Sequence, residues 1–135
     1  THFLNPDVRY SVPNQCGYEE VVEIKPFGEL VAKFDTGNSV LSVLHAEDIK
    51  VNGNRVTFTN GEKSITTNLV NEYKAQRYVV KLNLTFSGST YEFMFGLDDR
   101  TKMGTDVLLN RFVMNKLNVM VNPQRKFLVT TKKDI

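Results

Sequence analysis

Ala32-Lys33-Phe34-Asp35-Thr36-Gly37-Asn38-Ser39, followed by Ser42-Val43-Leu44-His45-Ala46, is the stretch whose reading decides the fold. Residues 30–34 form a short, largely apolar run that ends on an aspartate, and residues 40–44 are apolar apart from Ser42. Asp, Thr and Gly are ordinary turn formers, so the tripeptide by itself describes a β-turn between two strands. Its flanks add meaning. A strand that delivers a carboxylate to a tight loop, with a buried segment directly behind, presents one acid on a fixed support.

Outward from this loop, short strands and turns alternate. Residues 21–24 lead into a Lys25-Pro26-Phe27-Gly28 break before the strand at 30–34. Asn52-Gly53 and Asn60-Gly61 bracket Arg55-Val56-Thr57-Phe58-Thr59, and Asn-Gly between alternating apolar residues signals a hairpin. From 77 to 86 the apolar residues fall at every second position, the period of a strand with one buried face. Ser87-Gly88-Ser89 turns that strand back into 90–95. A single short helix is expected over about 106–114, then strands over 117–121, closed by Asn122-Pro123, and over 126–130. Many short strands and one short helix predict an all-β, closed or partly closed barrel. Residues 1–20, with Pro6 and Pro13, are expected to form an extended arm, and residues 21–135 the barrel domain.

At 135 residues the chain is the size of one domain. Its 17 basic and 15 acidic residues leave a formal charge of +2, which calls for neither nucleic acid nor an acidic membrane as partner. Lys132-Lys133 reads as a solvated end. No apolar run approaches the roughly 20 residues needed to span a bilayer, so a cytoplasmic or virion location is expected. Cys16 is the one cysteine, which excludes an internal disulfide and suits a reducing compartment. His2 and His45 are too far apart in sequence to suggest a metal pair. No metal and no cofactor is expected. The start at Thr1 fits removal of an initiator Met or processing from a precursor.

An aspartate leaving an apolar strand, then a hydroxyl residue, then glycine, resembles the aspartic-protease pattern. In that pattern Asp35 shares one proton with a second carboxylate about 3 Å away, since two such charges cannot both ionise. Thr36 bonds across to the partner loop, and Gly37 permits a tight turn and close backbone approach. The resemblance extends further. Ala32-Lys33-Phe34-Asp35-Thr36-Gly37, Ser42-Val43-Leu44-His45-Ala46, residues 97–103 (Leu-Asp-Asp-Arg-Thr-Lys-Met), residues 107–111 (Val-Leu-Leu-Asn-Arg) and Val121-Asn122-Pro123 resemble, in order, the blocks of the ATP-dependent zinc protease family. These are small retropepsin-like proteins often associated with RimK-type ligases. Asn110 stands where that family has glycine, and asparagine best tolerates the left-handed backbone expected there. Asn38-Ser39-Val40 also departs from the family, toward phage and viral relatives. The resemblance implies a retropepsin-like closed β-barrel with one short helix and a catalytic loop of Asp35, Thr36 and Gly37. The words zinc and ATP find no ligand set and no phosphate loop in the sequence.

The remaining candidates read as structural. His45 lies in an apolar segment and is expected to be a satisfied core histidine. Asp98 and Asp99, adjacent on a strand, face opposite ways, and one is expected to pair with Arg100 or Arg111. Cys16 has no histidine near it in sequence, and its arm is expected to be mobile. Residues 51–63 are expected to form a flap over substrate, and residues 52–64, with few apolar anchors, to be mobile. One Asp-Thr-Gly per chain means that a dyad needs a second copy. Two functions follow: a structural or interaction subunit, in a phage virion or other large assembly, or a homodimeric aspartic endopeptidase. The partner in either case is protein or peptide.

Overall fold

The longest strands show how the barrel closes. In the computed structural model, which describes residues 14–131, Arg77–Phe86 (β9) and Ser89–Asp98 (β10) pair antiparallel across the Ser87-Gly88 turn. Alternation along β9 buries Val80, Leu82, Leu84 and Phe86 on one face. Glu19–Ile24 (β2), Gly28–Phe34 (β3), Ser42–His45 (β4) and Val107–Leu109 (β11) complete a ring in the order β10-β4-β11-β3-β2-β9, closed by the β9–β10 pairing. The expected all-β barrel with one short helix is formed, and closure leaves its six strands without a free edge in the ring.

The strand β11 positions the Asp35 loop. It runs parallel to β3, with Val107 opposite Ala32 and Leu109 opposite Phe34, and antiparallel to β4. Its apolar Val-Leu-Leu therefore belongs to the sheet, not to the helix expected over 106–114. The helix Arg111–Leu117 (α1) starts after Asn110 and packs Val113 and Met114 into the core.

Glu47–Asn52 (β5), Arg55–Asn60 (β6) and Lys63–Asn68 (β7) form a separate three-stranded sheet, with turns at both Asn-Gly pairs. The expectation of few apolar anchors over 52–64 is corrected. Val56 and Phe58 are fully buried, and Phe27 packs on Phe58 with ring centroids 5.6 Å apart. Full burial of such side chains is worth about 1.5–3 kcal/mol each, so β6 is pinned to the core while β5 and β7 beside it stay largely exposed.

The arm expected over 1–20 is corrected where it is described. Asn14–Gly17 (β1) pairs with Val119–Asn122 (β12), and Glu19 and Glu20 belong to β2. Residues 1–13 and 132–135 lie outside the described residues, and with them His2, the arm's prolines and Lys132-Lys133. Cys16, expected on a mobile segment, is fully buried in β1. Burial, and then the charge of Glu20, push its thiol up to about 12, which makes it inert.

The strand expected over 126–130 is replaced by an irregular strap. The cause is Glu20, which has no exposed surface. Its carboxylate accepts N–H bonds from Gly17 (2.6 Å), Leu128 (2.9 Å), Val129 (3.2 Å) and Thr130 (2.9 Å), and the Thr130 hydroxyl at 2.7 Å. Backbone donors committed to one carboxylate cannot also form a ladder. Gly17 lets the strap lie close, since a Cβ there would stand 2.8 Å from the Arg125 carbonyl oxygen.

Candidate functional site

The Asp35 loop is held from below. The Asp35 N–H donates to the Leu109 carbonyl at 3.0 Å, so the end of β11 fixes the point where β3 stops. Within the loop, the Asn38 N–H donates to the Asp35 carbonyl at 3.0 Å, and the Gly37 N–H reaches Asp35 Oδ1 at 3.1 Å. The Asn38 side chain fastens the far end, accepting from the N–H groups of Val40 and Leu41 and donating to the Leu41 carbonyl. Leu41 then buries against Gly96, where a Cβ would come within 2.5 Å of Leu41 Cδ2. This loop is short because asparagine replaces backbone partners that a longer loop would need.

Asp35 is half-buried, while Thr36 and Gly37 are exposed. Among the described residues Asp35 enters no ion pair, and its carboxylate serves its own loop through the Gly37 N–H on Oδ1. Gly37 adds a telling detail. Its φ is not in the left-handed region, and a Cβ on it would meet only Asp35 Oδ1, at 3.5 Å, an ordinary contact. The chain's own packing does not require glycine there.

Asn110 corrects a second expectation. Its backbone is extended, with φ −88° and ψ 175°, not left-handed. Its side chain caps α1 by accepting from the Val113 N–H at 3.1 Å, and its own N–H donates to Ser42 Oγ at 3.0 Å. An asparagine directly before a helix is a strong cap signal. The departure from glycine thus strengthens the segment under the loop. Asn110→Ala is expected to cost about 1 kcal/mol of stability, read as a lower urea midpoint at unchanged slope.

Arg100 carries the other charge near the loop. Its guanidinium is buried, with Nε donating to the Thr105 carbonyl at 2.9 Å and Nη2 to Thr105 Oγ1. Burial first, and Arg77 second, pull it below its ordinary range, while Asp98, Asp106 and Asp35 act the other way. The ion pair expected with Asp98 or Asp99 forms elsewhere. Asp98 Oδ2 receives Arg77 Nε at 2.9 Å and Nη2 at 2.8 Å, because both strands point these groups to one face. Asp99 bonds to Thr101, whose hydroxyl and N–H hold the carboxyl below its usual range.

His45 is satisfied, as expected. Its Nδ1 accepts the Arg100 N–H at 2.8 Å, which puts the ring proton on Nε2, facing Glu47 Oε1 at 3.2 Å. Among the described residues the fold does bring together one candidate metal cluster that the sequence does not show: His45, Glu47 and Asp99 offer ligand atoms within 4.8 Å of one another. The ring does not fit that role. One nitrogen is engaged and the other protonated, so no lone pair is left for a metal.

Residues 15–132 match the model of a family described as RimB-like, the retropepsin-like aspartic endopeptidase RimB. Among curated proteins none matches this sequence. A solved structure of a protein of unknown function from Legionella pneumophila is similar, with a TM-score of 0.74 and 26% identity. The similarity covers 85% of this chain and 97% of that one.

Proposed function

Because the chain belongs to the RimB-like family of retropepsin-like aspartic endopeptidases, we propose that it hydrolyses peptide bonds as a two-chain enzyme to which each copy brings one Asp35. The observation that carries this reading is the Asp35 loop, mounted on β11 with its carboxylate in no ion pair among the described residues, and with a glycine that its own chain does not need. A surface glycine with no internal reason suits a loop that another backbone approaches closely. The second copy's loop is that backbone.

In the dimer, one Asp35 is ionised and the other protonated. The ionised carboxylate takes a proton from water as the water oxygen attacks the peptide carbonyl carbon. The protonated one gives its proton to the nitrogen as the C–N bond breaks. Thr36 bonds across to the partner loop and holds the two carboxylates in one plane. The β5–β6 turn around Asn52-Gly53 serves as the flap tip over a bound polypeptide.

Gly37→Ala separates this reading from a purely structural one. The added methyl meets only an ordinary contact within its own chain, so stability should change by less than about 0.5 kcal/mol. Sedimentation should show loss of the dimer, and incubation with an unfolded protein substrate should show loss of cleavage. A Gly37→Ala protein that dimerises and cleaves as well as wild type defeats the two-loop geometry. A wild type that stays monomeric and cleaves nothing is instead an interaction subunit, as in a virion or other large assembly.

A further inference from the structure

Two turns of the three-stranded sheet hold the same reactive pair of residues in different surroundings. Asn52-Gly53 turns β5 into β6, and Asn60-Gly61 turns β6 into β7. Each asparagine ends its strand and pairs across the turn, Asn52 with Arg55 and Asn60 with Lys63. Both glycines are left-handed, with φ 62° and 63°, and apart from the chain neighbours a Cβ on either would meet nothing within 4 Å. A backbone nitrogen so little shielded can attack the side-chain carbon of the asparagine before it. The asparagines themselves differ. Asn60 is 6% exposed, and its Nδ2 donates to the His45 carbonyl at 2.8 Å. Asn52 is exposed and makes no side-chain hydrogen bond among the described residues. It also ends an edge strand that is bulged between Glu47 and Lys50. In an extended strand the side chain stands away from the next nitrogen, so the turn must open before the two can meet. Opening costs little at an exposed edge, and much where a buried hydrogen bond must break.

We propose that Asn52 is a site of spontaneous covalent modification, at which the Gly53 nitrogen displaces the side-chain amide, and that the fold withholds Asn60 from the same reaction. The Gly53 nitrogen gives its proton to a solvent base and bonds to Asn52 Cγ. The Cγ–Nδ2 bond breaks, Nδ2 leaves as ammonia, and a cyclic imide remains. Water then opens the imide at either carbonyl. One opening yields aspartate. The other yields isoaspartate, whose main chain runs through Cγ and is longer by a carbon atom. The balance is amide plus water to carboxylate plus ammonium, with nothing oxidised or reduced. Both products put a negative charge on this turn, and isoaspartate also breaks the pairing of residue 52 with Arg55. The chemistry is independent of the endopeptidase reading. It falls on the turn proposed as the flap tip, so that tip changes with the age of the molecule.

The experiment uses the purified full-length wild type, incubated in mildly alkaline buffer and, in parallel, in the same buffer with guanidinium chloride. Peptides spanning residues 52 and 60 are followed by mass spectrometry for the gain that turns an amide into an acid, with fragmentation to assign the residue. In denaturant the two sites should convert at similar rates, since each is an asparagine before glycine. In the folded protein Asn52 should convert while Asn60 converts at least about tenfold more slowly, the effect on rate of one buried hydrogen bond that must first open. Equal rates at the two sites in the folded protein overturn the proposal. So does a folded protein in which neither site converts while both do in denaturant, since the β5–β6 pairing then protects Asn52 as well as burial protects Asn60.

Discussion

Asp35→Asn should lower cleavage of an unfolded protein by about a thousandfold, with folding and dimerisation unchanged. The size follows from the work assigned to the pair, since positioned acid–base groups supply about 10² to 10⁴ in rate. The amide is nearly isosteric with the carboxylate and keeps an oxygen for the Gly37 N–H, so the loop should keep its shape. A sharper consequence concerns mixtures. If each active site needs one carboxylate from each chain, a hybrid of wild type and Asp35→Asn is inactive. After subunit exchange at equal amounts, about one quarter of the dimers are wild type in both halves, and activity should fall to about that fraction. A fall to one half means that each chain acts alone, and the shared pair is then refuted.

Glu20→Gln should destabilise the domain by about 3 kcal/mol, a large part of the 5–15 kcal/mol typical of such domains. Four N–H groups and one hydroxyl converge on this buried carboxylate, and an amide turns two donors of its own into that crowd. The check is urea unfolding, with limited proteolysis between residues 125 and 131 as a local readout. The pH dependence has a definite sign. Burial by itself raises the Glu20 carboxyl, but the bonds from Gly17, Thr130 and Val129 outweigh it and hold the group below its ordinary 4.5. A carboxylate depressed on folding contributes stability above its unfolded pKa and loses it as pH falls through the folded value. The gap between wild type and Glu20→Gln should therefore be full at neutral pH and shrink below about pH 4.5. A gap that widens in acid contradicts the assignment of Glu20 as the tie.

Much of the candidate site was legible because its signals are local. The Asp35 loop, both Asn-Gly turns and the period-two run of β9 each sit within a few residues, where backbone preference and side-chain spacing act directly. What was misread involved partners far along the chain. Val107-Leu108-Leu109 has no period of its own, and only its place between β3 and β4 makes it a strand. Glu20 resembles any surface glutamate until residues 128–130 fold back over it. Two signals were present but given another meaning. Asn110 before a helix announces a cap, and the alternation of Val56 and Phe58 announces a buried face.

The wedge of β11 between β3 and β4 also has a meaning for synthesis. A ribosome delivers the Asp35 loop long before residues 107–109 emerge, and in that interval the Asp35 N–H has no Leu109 carbonyl to hold it. Contacts this distant in sequence form late, because the intervening chain must be ordered first. The nascent chain thus carries its acid without the mount that aims it. On the endopeptidase reading, hydrolytic competence then waits until residues 107–109 have taken their place between β3 and β4.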